Sequence, residues 1–463
     1  MKQLFFLISL TALAGVATFV DAFWAILLYY GLAVLRPQYL WKWALSGDYR
    51  WSLVAAAIVF AGVFMHGKRI MAQARLTAVF WLLLAYTVLV MLSCLTSHDP
   101  AIAQQWAIEY GKIFLIAALA SLIIHRLEQI RLVAMVIVIA VGYIAWQVNS
   151  LYFLDGRLDI FHYGIGGLDN NGAGLYLATA LPLTYIFAFG ATRPWQRALA
   201  VLAALLMIHA LMMTYSRGAM LAAVVGAAWL LLRHRPRWQA GGIAIALILV
   251  IGVLAGAEIR DRFTSSANFQ TDGSAQLRFE SWDAAWRMAW ENPLLGTGIR
   301  NSNQFSHAYG ADQVGRTIHS LYLQIAADSG LPAMAVYIAL LSAAGVSLFI
   351  AHRACQERLD DDEAHDRPID QVTRQAAYLS GGTQAALVTF AVGGLFLSVE
   401  VVELPWILIV LAGVLPRAVE DHLEAPALVA PVAPLGAPAP TPGRGRTRLA
   451  QLTPQRPTGV QPS

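Results

Sequence analysis

The segment 211–223, LMMTYSRGAMLAA, places one arginine between two apolar runs. The pattern predicts a helix that ends near Thr214 and a second that begins near Gly218, with Arg217 at its start. A helix N-terminus carries partial positive charge and unpaired N–H groups, and a guanidinium adds planar donors that match phosphate oxygens. Two interpretations are open: an anion-binding site, or an arginine that reaches lipid headgroups to position the helix. The neighbouring Ser216 and Gly218 favour the first, because glycine lets a backbone or ligand approach closely.

A second arginine opens a tryptophan-rich stretch in residues 274–298, SAQLRFESWDAAWRMAWENPLLGTG. The stretch predicts an amphipathic helix that ends at Asn292-Pro293. Tryptophan recurs every four residues, at 282, 286 and 290. Because tryptophan prefers membrane interfaces, one interpretation lays this helix on the membrane surface with Arg278 at the boundary. In the other, the tryptophans form the core of a small cap, and Arg278 pairs with Glu280 or Asp283.

Residues 316–333, RTIHSLYLQIAADSGLPA, hold a histidine at the start of a short predicted helix that ends at Ser329-Gly330. Imidazole accepts protons near neutral pH, so His319 is a candidate general base. Tyr322 follows three residues later on the same helical face and is a candidate substrate-binding residue. A lone histidine usually has a structural role, but the two candidate anion-binding arginines favour function here. Arg300 is a further substrate-binding candidate.

Asp169, Asn170 and Asn171 precede another predicted helix within FHYGIGGLDNNGAGLYLA. Aspartate and asparagine are among the best helix caps, so capping is one interpretation, and hydrogen bonding to a polar substrate is the other. Three predicted helix N-termini therefore carry polar motifs, near positions 169, 217 and 319. If they converge, they form a positive, donor-rich pocket, whose natural ligand is an anion on a lipid, such as a diphosphate.

The elements that hold these residues are predicted to be transmembrane helices. Hydrophobic residues make up 58% of the 463-residue chain and charged residues only 13%, against about 25% charged in soluble domains. Apolar runs recur along almost the whole chain, which excludes a soluble enzyme with a single anchor. The fold class predicted is an all-α polytopic membrane protein with about 12 or 13 spans. The first two runs form one broken helix or a pair, interrupted at Asp21.

Basic residues set the predicted orientation, because loops rich in them stay in the cytoplasm. They concentrate in one set of alternate short loops: Lys68, Arg69, Arg75, Arg126, Arg131, Arg193, Arg197, Arg233, Arg235, Arg237, Arg353, Arg358, Arg367 and Arg374. The other set holds Lys112, Arg157 and Arg217. The segments 97–111 and 151–172, the turn at 214–217 and the stretch 258–318 are thus predicted on the outer face. The formal net charge of +4 is an argument about orientation and not for nucleic-acid binding.

Four regions follow from these patterns. Residues 1–257 are predicted to form transmembrane helices with short loops, and 258–318 a periplasmic loop that contains the amphipathic helix. Residues 319–417 are predicted to form further transmembrane helices. Residues 418–463 are rich in proline and alanine and predict a disordered cytoplasmic tail without a catalytic role.

Several motifs of other enzyme classes do not occur in the sequence. It has no GxxxxGK[ST], which argues against an ATPase, and the lone GxG at Gly296 and Gly298 follows no predicted strand. It also has no HExxH, and the outer loops have no paired acidic motif. The predicted mechanism therefore uses no metal and no cofactor.

Three motifs, taken in order, resemble the O-antigen ligase and O-antigen polymerase superfamily: TYSRGA (214–219), LRFESW (277–282) and IHSLYLQIAADSGLPA (318–333). The DNN at 169–171 and the short loops are most similar to putative O-glycosylation ligases associated with exosortase systems. The resemblance covers residues 160–350 at the level of motifs and the whole chain at the level of hydropathy. Many relatives have asparagine after the histidine, whereas this chain has Ser320.

The resemblance implies a glycosyltransferase at the periplasmic face of the bacterial inner membrane, in lipopolysaccharide or related polysaccharide biosynthesis. The donor would be a glycan on undecaprenyl diphosphate, and the acceptor a hydroxyl of lipid A core, of another glycan or of a protein. The resemblance implies that Arg217 and Arg278 hold the diphosphate and that His319 acts on the acceptor hydroxyl as base or positioner. Two alternatives stay open, a polymerase with the same donor and a transporter of lipid-linked glycan. The transporter is less favoured, because the notable arginines lie at one interface and not at the midplane.

Overall fold

The computed structural model describes residues 1–45, 51–155, 160, 164–254, 273–399 and 401–424, and the regular elements in these ranges are helical. The chain is an all-α polytopic membrane protein, as the composition predicts. The first group of helices is α1 (Lys2–Thr18), α2 (Phe23–Leu35), α3 (Pro37–Leu40), α4 (Trp51–Gln73), α5 (Ala78–Leu92), α6 (Pro100–Ile123) and α7 (Leu127–Ser150). The second group is α8 (Asn170–Gly190), α9 (Pro194–Met213), α10 (Arg217–Leu231), α11 (Arg237–Leu254), α12 (Gly273–Glu291), α13 (Asn301–Phe305), α14 (Leu321–Ala364), α15 (Gln371–Gly393) and α16 (Glu403–Glu424).

Seven of the described helices are long and apolar enough to cross a membrane, and α1, α10 and α11 are apolar but shorter. The number of crossings, about 12 or 13 from the apolar runs, stays a prediction. At the start of the chain, α1 and α2 are separate helices with Asp21 between them. The Asp21 carboxylate accepts a hydrogen bond of 2.9 Å from the backbone N–H of Phe23 and pairs with Arg126 at 3.2 Å. The interruption therefore has a polar anchor at the beginning of α2.

Helix α6 corrects one expectation. The hydropathy pattern predicts an outer-face segment at 97–111 before a short apolar run, but a single helix covers Pro100–Ile123. Asp99 caps it, since its carboxylate accepts from the N–H groups of Ala101 and Ile102. The charges that interrupt the apolar pattern neutralise each other inside the helix, because Lys112 lies 2.7 Å from Glu109.

Residues 273–320 form a cap at one end of the helix bundle, between α11 and α14. One side of α12 is buried, including Ser281, Ala285 and Met288. The cap is tied to the bundle by backbone hydrogen bonds, from His98 to the carbonyl of Thr297 and from Leu331 to that of Pro293, each 2.9 Å long. We refer to this end of the bundle as the cap end.

Helix α14 is broken at Gly330, where the predicted short helix ends. Gly330 has φ +88°, which favours glycine, and a Cβ at this position would lie 2.3 Å from the carbonyl oxygen of Leu294. The break thus lets the cap approach the backbone of α14 directly, and the segment Leu321–Ser329 presents its N-terminus to the cap end.

The last helix corrects the start of the predicted tail. Helix α16 continues to Glu424, past the boundary expected at 418. Its final turns are anchored by an ion pair between Asp421 and Arg75 and by a hydrogen bond between His422 and Asp370, each 2.7 Å long. Residues 425–463, which carry the rest of the predicted disordered tail, lie outside the described residues.

Candidate functional site

The turn between α9 and α10 holds Arg217 at the first position of a helix. Tyr215 has φ +52°, a left-handed conformation that reverses the chain within a few residues. The hydroxyl of Thr214 stabilises this turn, because it donates to the carbonyl of Leu211 and accepts from the N–H of Ser216. Arg217 is half-buried. The local sequence therefore places a guanidinium beside the N–H groups of a helix N-terminus, as the pattern predicts.

The start of α8 is bonded to this turn. The Asp169 carboxylate accepts from the N–H of Gly172 at 2.8 Å, so its predicted capping role is confirmed. The amide of Asn170 donates to the carbonyl of Thr214 at 3.2 Å, and the hydroxyl of Ser216 donates to Oδ1 of Asn171 at 2.8 Å. Both asparagines thus join α8 to the turn between α9 and α10.

These hydrogen bonds are possible because the backbone of α8 lies close to that of the turn before α10. A Cβ at Gly174 would lie 2.9 Å from the hydroxyl oxygen of Thr214 and 3.0 Å from Cβ of Ser216. A larger residue at this position of α8 would push the two N-termini apart. Gly174 is therefore part of the arrangement that aligns them, although it carries no chemical group.

His319 precedes α14, and its backbone adopts φ +56°. Its carbonyl accepts from the indole N–H of Trp282 at 3.3 Å, and the N–H of Leu321 donates to the carbonyl of Gly394 at 2.8 Å. The backbone at His319 is thus held between the cap and the end of α15. Non-glycine residues in this conformation cost energy and occur preferentially at functional sites.

Arg278 reaches the same region from α12. The hydroxyl of Ser281 lies 2.9 Å from the Arg278 carbonyl and 3.0 Å from that of Ile318, and so fastens α12 to the residue before His319. Trp282 packs against Phe396, with ring centroids 6.4 Å apart. Phe396 also packs against the start of α10, because a Cβ on Gly218 would lie 3.2 Å from its Cβ. The helices that carry Arg217 and Arg278 therefore share one aromatic neighbour.

The environment of His319 makes its imidazole neutral at physiological pH. Burial lowers the pKa of His319 to about 4, and the positive charges of Arg278 and Arg316 act in the same direction. The carboxylate of Asp169 acts against them and raises the pKa. The structure therefore brings His319, Arg278 and Asp169 within electrostatic reach of one another.

Neither interpretation of the tryptophan-rich helix describes α12 fully. Trp282 is half-buried, whereas Trp286 and Trp290 are exposed, so the buried face of the helix consists mainly of small residues. Asp283 pairs with Arg287, one turn further along α12. The exposed tryptophans are available to a membrane surface, and the cap core does not depend on them.

Tyr322 and Arg300, the two remaining candidate substrate-binding residues, lie in different parts of the structure. The hydroxyl of Tyr322 donates to the carbonyl of Ala391 at 2.7 Å, which ties α14 to α15. Arg300 has φ +60° and lies over the ring of Trp106, 5.0 Å from its centroid. With Asp169, Arg300 lines a cavity of about 900 Å³ beside the site.

That cavity contains charged residues that the sequence analysis did not select. They are Arg36, Lys42, Glu109 and Glu403, together with Lys112, which entered the analysis only as a loop charge. Each borders an apolar run, and this position is the signal that could have identified them. Within the described ranges, no group of three or more His, Cys, Asp or Glu side chains is arranged to hold a metal ion.

Residues 202–338 match the family model described as O-antigen ligase. Comparison with curated proteins gives no significant match. The matched segment contains Arg217, Arg278 and His319, and it confirms the resemblance to the O-antigen ligase and polymerase superfamily. This segment of the chain is therefore similar to the O-antigen ligase family. The link to exosortase systems stays a prediction.

Proposed function

We propose that this protein transfers a glycan from undecaprenyl diphosphate to an acceptor hydroxyl at the periplasmic face of the bacterial inner membrane. One observation carries the proposal. His319, a half-buried histidine in the segment that matches the family, lies within reach of the charges of Arg278, in the same segment, and of Asp169. The cap end would then face the periplasm and the C-terminus the cytoplasm, as the loop charges predict.

The donor's diphosphate would bind between Arg217 and Arg278. Guanidinium groups form paired, charge-assisted hydrogen bonds with phosphate oxygens, and the first N–H groups of α10 add further donors. The leaving diphosphate gains negative charge as its bond to the sugar breaks. Fixed positive groups therefore stabilise the transition state more than the ground state, which accelerates the reaction without a metal or cofactor.

His319 would act on the acceptor. The acceptor oxygen attacks the anomeric carbon, the bond from that carbon to the diphosphate oxygen breaks, and its electron pair leaves with the diphosphate. The acceptor proton passes to the neutral imidazole of His319. General bases contribute about 10²–10⁴-fold to such steps.

A pKa of about 4 in the protein without donor makes His319 a weak base. Binding of the donor would raise this pKa. A bound diphosphate neutralises Arg278 and brings its own negative charge close to the imidazole. Both effects favour the protonated form and raise the pKa of His319 toward its ordinary value. In this proposal, His319 becomes an effective base only when the donor is in place.

The proposal is tested by transfer from a defined lipid-linked glycan in nanodiscs that contain EDTA. Arg217→Ala, Arg278→Ala and His319→Ala should each lower transfer by about 100-fold or more. Arg287→Ala and His307→Ala are matched controls, because both side chains lie on the cap and are exposed. Near-normal transfer by either arginine variant, or loss of wild-type transfer in EDTA, would contradict the mechanism.

The same assay, run with separate acceptors, decides among the products. Lipid A core or a protein as acceptor would identify a ligase, and a second lipid-linked glycan would identify a polymerase. Vesicle flipping of the donor without a covalent product would identify a transporter and reject the enzyme. The undecaprenyl diphosphate requirement is tested by a donor that carries the same glycan on a monophosphate.

A further inference from the structure

A cavity of about 900 Å³ is lined by Asp169, whose charge acts on the imidazole of His319. Its walls come from distant parts of the chain: the end of α2, the middle of α6, the loop before α8, the cap, and the segment before α16. Four cations line it, namely Arg36, Lys42, Lys112 and Arg300. Arg217, Arg278 and His319 are not among the lining residues, so the cavity is a separate compartment next to them.

Arg36 has hydrogen-bonding capacity that the described protein leaves unused. It follows the last residue of α2 and adopts φ +50°, a conformation that brings its side chain over the ring of Tyr39, 4.8 Å from the centroid. Its Nη1 is buried without a hydrogen-bond partner among the described residues, and so is the hydroxyl of Ser398 in the same cavity. Buried unpaired donors are costly, and a ligand with acceptor oxygens would satisfy them.

Arg300 belongs to the cap and is held in place by hydrogen bonds between the cap and α14. The carboxylate of Asp328 accepts from the N–H of Ser302 at 2.8 Å, and the carbonyl of Asp328 accepts from the N–H of Gly298 at 2.9 Å. These two bonds fix the backbone on both sides of Arg300, whose guanidinium lies over the ring of Trp106. The guanidinium of Arg300 therefore lines the cavity from the cap, and that of Arg36 lines it from the helix bundle.

The remaining lining defines the chemistry of the ligand. Glu109, which pairs with Lys112 at 2.7 Å, and Glu403 offer acceptors to sugar hydroxyls. Gln38 and Gln105 provide amides, and Trp106 provides an aromatic face. An inorganic anion would not fill a space of this size, and a neutral sugar would give the buried, unpaired Nη1 of Arg36 no charged acceptor. Cavities of about 300–1,000 Å³ suit ligands of several rings.

We propose that this cavity binds an anionic oligosaccharide, with a phosphate or carboxylate on its sugars held by Arg36 and Arg300. The inference rests on the proposed function and names the class of glycan that the enzyme uses. The charged sugar belongs either to the acceptor or to the transferred glycan of the donor. Asp169 links the cavity to His319, so in both cases the bound glycan reaches the reacting groups.

The test is calorimetric titration of the full chain in nanodiscs. The probes are phosphorylated and uronic-acid-containing oligosaccharides, each paired with its neutral counterpart, and undecaprenyl diphosphate is titrated separately. The wild type should bind at least one charged probe more tightly than its neutral counterpart. Arg36→Gln and Arg300→Gln should each weaken that binding by about 10-fold or more, because each removes charge-assisted hydrogen bonds.

The control variant is Arg235→Gln, since Arg235 is exposed and pairs with Asp360 away from the cavity. Unchanged affinity of the Arg36 and Arg300 variants for undecaprenyl diphosphate shows that they are folded and separates this inference from the diphosphate site. If no charged probe is preferred, or if the preference survives both substitutions, the proposal is wrong. In the transfer assay, a rise in KM for the acceptor or for the donor identifies which glycan occupies the cavity.

Discussion

The hydroxyl oxygen of Ser216 lies 2.8 Å from Oδ1 of Asn171, and this hydrogen bond joins the first turn of α8 to the residue that directly precedes α10. Ser216 is buried and Asn171 is half-buried, so access of water to the two groups is restricted when the bond is lost. Arg217 follows directly in the chain. The orientation of the proposed diphosphate-binding guanidinium therefore depends on a contact between two neutral side chains.

We predict that Ser216→Ala lowers kcat/KM for transfer by about 10-fold, because an unpaired buried group costs about 1–3 kcal/mol and the start of α10 loses its alignment. Asn171→Ala should have a similar effect. The measurement is a double-mutant cycle on kcat/KM in the nanodisc assay. If the bond acts as described, the double variant should lose little more than either single variant. Strictly additive losses would show that the two residues act independently.

The pH dependence of transfer should report His319. Its pKa in the free protein is lowered to about 4, first by burial and then by Arg278. Only the neutral imidazole accepts a proton, so kcat/KM should stay constant as the pH falls and should decline only as the pH approaches about 4. The acid limb of kcat should lie at higher pH, because the bound diphosphate raises the pKa.

The charge of Arg278 gives this prediction its control. Arg278→Gln removes a neighbouring positive charge, so the acid limb of the residual kcat/KM should move to higher pH. Arg287→Gln, on the exposed side of the same helix, should leave it in place. An acid limb of kcat/KM near the ordinary pKa of histidine in the wild type would show that the imidazole is solvated in the donor-free protein and that the proposed switch does not operate.

Much of this arrangement could be predicted from the sequence, because local signals determine it. The capping side chain of Asp169, the chain reversal before Arg217 and the helix break at Gly330 each depend on residue types within a few positions of one another. Such signals survive in a membrane protein, since helix ends need the same caps there as in water. These local features are the reason why the sequence predicts Asp169, Arg217 and His319 at helix N-termini.

The cavity could not be predicted in this way, because its walls meet only in three dimensions. Arg36 and Arg300 are far apart in the chain, and their common surroundings follow from the packing of the cap on α6. The start of α6 was missed for a related reason. A hydropathy pattern counts Glu109 and Lys112 as two separate charges, each costly to bury in a membrane helix. Their pairing lowers that cost, so the helix includes both residues.

The break in α14 provides a test of how the cap is held. Gly330→Ala forces a left-handed backbone on alanine, which costs about 1–3 kcal/mol, and places its Cβ against the carbonyl of Leu294. We expect a lower Tm and lost transfer, because the cap that carries Arg278 can no longer dock. The measurement is thermal unfolding in detergent, followed by the transfer assay.

Gly345→Ala is the matched control on the same helix. A Cβ at Gly345 meets no atom within 4 Å, and the backbone there is helical. This substitution should leave transfer unchanged and raise stability slightly, since alanine is favoured over glycine inside helices by about 1 kcal/mol. Equal effects of the two substitutions would mean that the cap does not depend on the break.

The end of α16 separates the structural part of the C-terminal region from the predicted tail. A chain truncated after Glu424 keeps the Asp421–Arg75 and His422–Asp370 pairs. We expect it to transfer glycan at the wild-type rate, because the removed residues have no predicted catalytic role. A chain truncated after Arg417 loses both pairs and the final turns of the helix, and should show a lower Tm and lower yield.

The orientation of the chain is tested with reporter fusions. A green fluorescent protein fused after Glu424 should fluoresce if the C-terminus is cytoplasmic, and alkaline phosphatase inserted at Gly315 should be active if the cap is periplasmic. The reverse pattern of reporters would place the proposed site on the wrong side of the membrane for a periplasmic acceptor.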